Sequence, residues 1–196
     1  MQNTDWIQYH NLLEQDRWLE QCSSVINKNG YIAFWGKNKE FGFLSNWYRS
    51  NMIYRTYNNE LEIISEIEFN CVEQWIMYQK AILFNDLTIA SKILETKEPR
   101  IQKQLGRSIN NFNEDIWNKH KYKILYDGLK LKFEQNDKLH NLLRNTENKI
   151  LIEASPYDSI YGVGMSANDP NISNPQKWKG LNMLGRALMD IRKNLQ

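Results

Sequence analysis

Two ionisable side chains near the middle of the sequence have the types and the spacing of a catalytic pair. Glu73 and Lys80 lie seven residues apart in a segment with helical periodicity, so we expect them on one face of a helix, about two turns apart. Apolar residues surround both of them. A partly desolvated lysine loses its proton closer to neutral pH and can attack a carbonyl carbon. A carboxylate in such surroundings can stabilise a developing cation or transfer a proton.

Each of these side chains, and a third candidate at Asp158, also has a purely structural interpretation. Glu73 follows Asn70 by three residues, the spacing at which a glutamate bonds back to a helix start that an asparagine caps. Lys80 can extend its ammonium group past the edge of a core. Asp158 stands in a Pro-Tyr-Asp-Ser sequence, where an aspartate commonly bonds the backbone of its own turn. The residue types alone leave both interpretations open.

The other familiar signatures of catalytic and metal sites do not occur in the sequence. It contains no phosphate-binding loop, dinucleotide fingerprint or nucleophile elbow. The three histidines, His10, His120 and His140, lie singly on predicted helices, and Cys22 and Cys71 lack the spacing of metal ligands. We therefore predict no metal site, no cofactor and no disulfide framework.

Composition narrows the class of protein further. The 196 residues are 41% hydrophobic and 12% aromatic, which is far more apolar mass than a disordered chain carries. The formal net charge of +2 gives no basis for a constitutive nucleic-acid binder. The chain begins without a signal-peptide pattern and has no run of eighteen apolar residues, so we predict a cytoplasmic protein that does not enter a membrane.

The elements that must position these residues are mostly helical. Gly30 ends the first predicted helix, Pro99 begins another, and a hairpin turns at Asn58-Asn59. Strands are predicted at 31–35, 52–69 (the hairpin) and 149–153, and helices at 5–29, from 70 to about 83, 86–95, 99–105, 113–135, 137–145 and 182–195. We expect an α+β fold, a mostly helical single domain with a small β-sheet.

Several separated motifs together resemble a known family. In chain order they are Phe34-Trp35, Phe43-Leu44-Ser45-Asn46-Trp47, Val72-Glu73-Gln74-Trp75, Gln79-Lys80-Ala81, Leu105-Gly106-Arg107, Lys132-Phe133, Glu153-Ala154-Ser155-Pro156-Tyr157-Asp158, Tyr161-Gly162-Val163-Gly164 and Gly180-Leu181-Asn182-Met183-Leu184-Gly185. This pattern is similar to that of the NADAR superfamily, which includes the YbiA-like N-glycosidases. The resemblance covers residues 31–196 and leaves residues 1–30 as an N-terminal helical extension.

The resemblance implies a NADAR-type domain that hydrolyses an N-glycosidic bond of a ribosyl nucleotide without metal or cofactor. Two substrate classes are associated with the family: phosphoribosylated intermediates of riboflavin synthesis, and ADP-ribose on guanine bases of nucleic acid. The second would involve transient contact with ADP-ribosylated DNA or RNA. A module that binds ADP-ribose or a related nucleotide without turnover is the alternative.

The resemblance also assigns roles to residues. It implies that Glu73 stabilises an oxocarbenium ion, that Lys80 can form a Schiff base, and that Asp158 is a third catalytic residue. Direct cleavage and the Schiff-base route both stay open. The implied substrate-binding residues are Phe34, Trp35, Asn46, Arg107, Trp117, Tyr161, Gly162 and Gly164, with rings stacking on the base, Arg107 on phosphate and the glycine turn offering N–H groups to phosphate. Gln74 and Tyr161 depart from the family's usual His and Trp.

Overall fold

Helices account for 51% of the structure, which confirms the predicted α+β class. The computed structural model describes residues 12–195. They form two compact units: the residues up to Ser45 together with those from Asn141 onward, called here the terminal unit, and Asn46–His140, called the central unit. Within residues 12–195 the small predicted sheet is a pair of two-stranded sheets, one in each unit.

The terminal unit is built on two short parallel strands. Its elements are α1 (Leu12–Asn29), β1 (Tyr31–Phe34), a 3-10 turn (Gly42–Leu44), β4 (Ile150–Glu153), a second 3-10 turn (Pro175–Lys177) and α7 (Met183–Asn194). β1 pairs with β4 in a register that joins Tyr31 to Ile150 and Phe34 to Glu153. Gly30 ends α1 at a φ of 79°, as predicted. The part of the predicted first helix before residue 12 lies outside the described residues.

Helix α1 supplies part of the core of the terminal unit. Cys22 and Ile26 are buried against Ile150 and Ile152 of β4. The indole of Trp18 lies 5.9 Å from that of Trp178, measured between ring centroids. Burial of these side chains provides most of the free energy that holds such a helix in place. The described part of the N-terminal helix is therefore integral to this unit's core.

The central unit contains one hairpin and the helices that carry Glu73 and Lys80. Its elements are β2 (Met52–Tyr57), β3 (Ile63–Phe69), α2 (Val72–Leu83), α3 (Leu87–Glu95), α4 (Pro99–Arg107) and α5 (Glu114–Glu134), and α6 (Asp137–Arg144) begins at its end. The strands pair antiparallel, as predicted. Asn58 accepts hydrogen bonds from the N–H groups of Glu60 and Glu62 and so fixes the hairpin turn.

Helix α2 packs against α3, α4 and α5, and two glycines allow two of these helices to approach closely. A Cβ atom at Gly128 of α5 would overlap the indole of Trp75, whose Nε1 donates to the Ile124 carbonyl at 2.8 Å. A Cβ atom at Gly106 of α4 would overlap the side chain of Met77. The predicted helix 99–105 ends just before Gly106, at a position where a glycine is typical of a helix end. In the structure α4 continues to Arg107, so Gly106 is a close-packing position.

No helix within residues 12–195 combines the length and the apolarity that crossing a bilayer requires.

Replacing Gly128 with alanine tests the close approach of α2 and α5. Helix propensity alone predicts that alanine stabilises α5 by about 1 kcal/mol. Overlap with the Trp75 indole predicts the opposite, and we expect the free energy of unfolding in urea to fall by about 1 to 3 kcal/mol. The matched control is Lys130→Ala on an exposed position of the same helix, for which we expect a change within about 0.5 kcal/mol. A Gly128→Ala protein more stable than the wild type would contradict this packing.

Candidate active site

Glu73 lies in the first turn of α2 and is only 6% exposed. Its backbone N–H donates to the Asn46 carbonyl at 3.0 Å, and its Oε2 accepts from the indole N–H of Trp47 at 3.2 Å. The residue that caps α2 is Cys71, with no side-chain capping bond, so the predicted capping role of Asn70 is wrong. Glu73 is thus a buried carboxylate in the first turn of a helix, where the dipole favours negative charge.

Gln74, next to it, fixes the start of α2. Its Oε1 accepts from the Asn70 N–H at 2.8 Å, and its Nε2 lies within hydrogen-bond distance of the carbonyls of Ile93, Leu94 and Thr96. This side chain therefore ties the residue before the helix to the end of α3. Gln74, which stands where the family usually has histidine, therefore has a structural role.

Asn46 lies beside Glu73 and is 7% exposed. Its backbone carbonyl binds the Glu73 N–H, but among the described residues its side-chain Oδ1 has no hydrogen-bond partner. An acceptor buried in this way costs free energy unless a donor reaches it. A hydroxyl or amino group of a ligand would satisfy it, and the substrate-binding role that the resemblance assigns to Asn46 stays a prediction.

Lys80 lies two turns further along α2 and is half-buried. Its Nζ donates to the Gly106 carbonyl at 2.8 Å. The Nζ atom also lies 4.2 Å from the centroid of the Phe112 ring and 5.5 Å from that of Trp117. Desolvation first, and then the Arg107 guanidinium, lower the pKa of Lys80 below its usual range. The structure thus brings together three of the predicted site residues: Lys80, Arg107 and Trp117.

The pair on α2 is not an ion pair. The Cα atoms of residues seven apart in a helix are separated by about 10 Å along its axis. Glu73 has Trp47 as a partner, and Lys80 has the Gly106 carbonyl. The two groups can therefore contact different parts of one ligand that lies along the helix face.

Asp158, Tyr161 and the predicted glycine turn belong to the terminal unit. The Oδ1 atom of Asp158 accepts from the N–H groups of Ile160 and Tyr161 at 3.0 and 2.8 Å, so its structural interpretation is the one observed for this oxygen. The N–H groups of Val163 and Gly164 donate to the Glu153 and Asp158 carbonyls. These two N–H groups are committed to the fold, and the geometry does not support their expected use as phosphate donors.

Gly162 and Gly164 have structural reasons to be glycine. Gly162 is buried, and a Cβ there would lie 2.8 Å from the Glu153 carbonyl oxygen. Gly164 adopts a φ of 67°, which favours glycine. Tyr161 is half-buried, and its backbone N–H is held by the Asp158 carboxylate.

The remaining predicted aromatic residues differ in exposure. Phe34 is 3% exposed and lies in the core, so it cannot stack on a ligand in this conformation. Trp35 is exposed, and its ring centroid lies 6.0 Å from that of Tyr157. Of Phe34 and Trp35, which are neighbours in sequence, only Trp35 presents a ring surface for binding.

Comparison with known proteins identifies the family. Residues 33–196 match the model of the NADAR domain. The chain belongs to the NADAR domain family. It is 40% identical over 169 residues to an N-glycosidase of Acanthamoeba polyphaga mimivirus, a match that covers 85% of this chain and 96% of the relative.

Two further proteins differ in how much they share with this NADAR chain. A chloroplastic riboflavin biosynthesis protein of Zea mays is 32% identical over 111 residues, which cover 55% of this chain but 16% of that protein. The NMR structure of the E. coli protein YbiA superposes with a TM-score of 0.64 at 23% identity, covering 84% of each chain, and so shares the fold.

Two residues of this NADAR domain have site-like surroundings, although the sequence assigned neither of them a role in the site. Phe112, in the loop before α5, contacts the Lys80 amine. Lys132 of α5 is 0% exposed, and burial lowers its pKa to about 7. The electrostatic partners of the buried Cys71 thiol include both Glu73 and Lys132, so Lys132 lies near the start of α2. The helical spacing of Leu125, Leu129 and Lys132 was the available signal, since it puts Lys132 on the buried stripe of α5.

Among residues 12–195 no three His, Cys, Asp or Glu side chains come together as a metal ion would require. Of the histidines, His120 is exposed and His140 is half-buried, whereas His10 lies outside the described residues.

Lys132 should make the free energy of unfolding depend on pH, and the substitution Lys132→Met should remove this dependence. Its pKa is about 7 in the folded protein and near 10.5 in the unfolded chain, so the unfolded chain binds more protons between these values. The free energy of unfolding of the wild type, relative to Lys132→Met, should therefore rise from about pH 7.5 to pH 10 by up to about 1.4 kcal/mol per pH unit. Urea unfolding at several pH values measures this. Lys130→Met, at an exposed position of α5, should parallel the wild type, and parallel curves for Lys132→Met would show that this pKa is not lowered.

Proposed function

We propose that this NADAR domain is an N-glycosidase that hydrolyses the bond between ribose C1 and a nitrogen atom of a nucleotide-derived compound. The observation that carries the proposal is the buried Glu73 carboxylate, on the same helix as the half-buried Lys80 amine. Relatives named N-glycosidase support the reaction type. The Schiff-base route uses both ionisable groups and direct cleavage uses the carboxylate, whereas a module that only binds a nucleotide has no need of the pair.

Glu73 stabilises the charge that develops when the C1–N bond breaks. Positive charge then appears on C1 and the ring oxygen, and a carboxylate lowers the energy of that state most where water is excluded. Glu73 is buried and held by the indole of Trp47, so its charge need not reorganise during the reaction. Asn46 offers its Oδ1 to a hydroxyl group of the sugar.

Lys80 acts as a nucleophile on the cationic C1 once the C1–N bond has broken and the base nitrogen has taken up a proton. Its neutral amine adds to C1, the C1–O4 bond then opens as a proton passes from Nζ to O4, and C1 becomes a protonated imine with Nζ. Water then adds to C1, which returns the free amine and an aldehyde sugar that closes again. The lowered pKa of Lys80 increases the fraction of neutral amine available at a given pH.

The substrate class is a ribosyl nucleotide, with either an ADP-ribosylated guanine in nucleic acid or a phosphoribosylaminopyrimidine as the specific compound. Arg100, Lys103 and Arg107 follow one another at helical spacing on α4, which ends beside Lys80, and these cations favour a substrate with several phosphates. The riboflavin biosynthesis relatives support the smaller compound. Incubation with each compound, with mass detection of the released sugar, distinguishes the two. A titration with ADP-ribose alongside separates turnover from binding alone.

Glu73→Gln tests the role of the carboxylate. The amide keeps the size of the side chain but removes its charge, so we expect kcat to fall by about 10²- to 10³-fold with the fold intact. Release of sugar from the better of the two substrates measures kcat, and urea unfolding checks the fold. Glu134→Gln, at an exposed position of α5, is the control and should retain full activity. Wild-type turnover in the folded Glu73→Gln protein would remove this mechanism.

Borohydride trapping tests the covalent step at Lys80. Reduction during turnover should leave the sugar attached to the peptide that contains Lys80, as mass spectrometry of a digest would detect. The adduct should be absent in Lys80→Arg and present in Lys130→Arg. Turnover without an adduct would show that Lys80 is not the nucleophile and that direct cleavage operates.

A further inference from the structure

The partly exposed ring of Phe112 covers the amine of Lys80. Phe112 belongs to the loop 108–113 between α4 and α5 and is 45% exposed, a large area for an apolar ring. Its centroid nevertheless lies 4.2 Å from the Lys80 Nζ, closer than that of Trp117 at 5.5 Å. An ammonium group at this distance over a ring face is attracted by the ring quadrupole. The Phe112 ring therefore interacts with the charged form of the amine.

Hydrogen bonds to neighbouring elements hold the loop that carries Phe112 in place. The Oδ2 atom of Asp86 accepts from both the backbone N–H and the side-chain Nδ2 of Asn110, at 3.0 and 2.9 Å. Asn113 caps α5 by accepting from the N–H of Ile116. The Phe112 ring also packs edge-on against Phe84, with 5.2 Å between centroids. The contacts of this loop within the central unit therefore fix the position of the Phe112 ring over Lys80.

The groups around Lys80 act on its proton in opposite directions. Burial and the Arg107 guanidinium at the end of α4 favour the neutral amine. The Gly106 carbonyl and the rings of Phe112 and Trp117 favour the ammonium form. The loop 108–113 contains no charged residue, Glu73 lies two turns away on α2, and the acids of the first turn of α5, Glu114 and Asp115, are exposed. Phe112 is thus the closest π-face that opposes the release of the proton.

We propose that Phe112 is a positioning residue for Lys80, whose ring holds the amine as an ammonium ion against the Gly106 carbonyl and so sets the pH at which Lys80 becomes a nucleophile. The catalytic part of this inference rests on the proposed function. The electrostatic part concerns the free protein and stands independently of any substrate.

Titration of Lys80 in the free protein tests the electrostatic part. NMR of protein labelled with ¹³C at the lysine ε-carbons, with Lys80 assigned by its absence in Lys80→Arg, gives the pKa of this amine directly. In Phe112→Leu the apolar side chain remains but the π-face is lost, so the pKa of Lys80 should fall by about 0.5 to 1 unit. Phe112→Tyr keeps the ring and should keep the wild-type value.

Two further variants keep the result interpretable. Tyr57→Leu removes an exposed ring from the hairpin of the same unit and should leave the titration of Lys80 unchanged. Phe112→Met replaces Phe112→Leu if the latter does not fold by urea unfolding, and the same fall is expected. An unchanged or raised pKa of Lys80 in the folded Leu or Met variant would overturn the proposal.

The pH profile of activity then tests the catalytic part. The neutral amine is the reactive form, so the rise of kcat/KM with pH should move to lower pH in Phe112→Leu by the same 0.5 to 1 unit. A profile that stays in place while the NMR titration shifts would refute the nucleophilic role of Lys80 and leave the electrostatic assignment standing. An inactive wild type with a shifted titration would refute the proposed function alone.

Discussion

The close approach of α2 to its neighbouring helices is the constraint on which the candidate site depends. Gly106 and Gly128 each leave room for a side chain of α2, Met77 in one case and Trp75 in the other. Gly106 has a second role, because its carbonyl is the acceptor for the Lys80 amine. The absence of a side chain on α4 therefore both brings the two helices together and brings a backbone acceptor within reach of the lysine. Packing density and site chemistry are here consequences of the same residue.

The central unit contains two lysine amines that are partly or fully buried. Lys132 and Lys80 both lose solvation, and for both the charged form is disfavoured. They differ in the extent of burial. Lys80 is half-buried and has a carbonyl oxygen and two aromatic rings around its Nζ. Lys132 is fully buried on the core stripe of α5, with its Nζ 5.1 Å from the Phe133 ring centroid and 5.5 Å from that of Tyr48. Burying a charged group costs free energy, and strongly altered pKa values cluster at functional sites.

Much of the fold could be predicted from local patterns, and the errors have a common physical cause. Helical periodicity placed α3 and α5 within one residue of their observed bounds, because apolar residues at that spacing need a core to face. The assignment of Asn70 as a helix cap failed because its Oδ1, the atom that would cap, accepts instead from the Nε2 of Gln102, a partner 32 residues away. The interpretation of Gly106 as a helix end failed for a similar reason. A side chain at this position would overlap Met77 on another helix, and that contact is what requires glycine. In both cases a long-range contact overrode a local preference.

For the site, the sequence by itself determined which ionisable groups share a helix face, because a seven-residue spacing has only one meaning in an α-helix. It also contained the ordered motifs of the NADAR domain, which the comparisons confirm. Only the tertiary structure decided that Glu73 bonds Trp47, that Phe34 lies in the core, and that Phe112 covers Lys80. The physical reason is that desolvation and cation–π attraction depend on what packs around a group, and those neighbours come from segments distant in sequence.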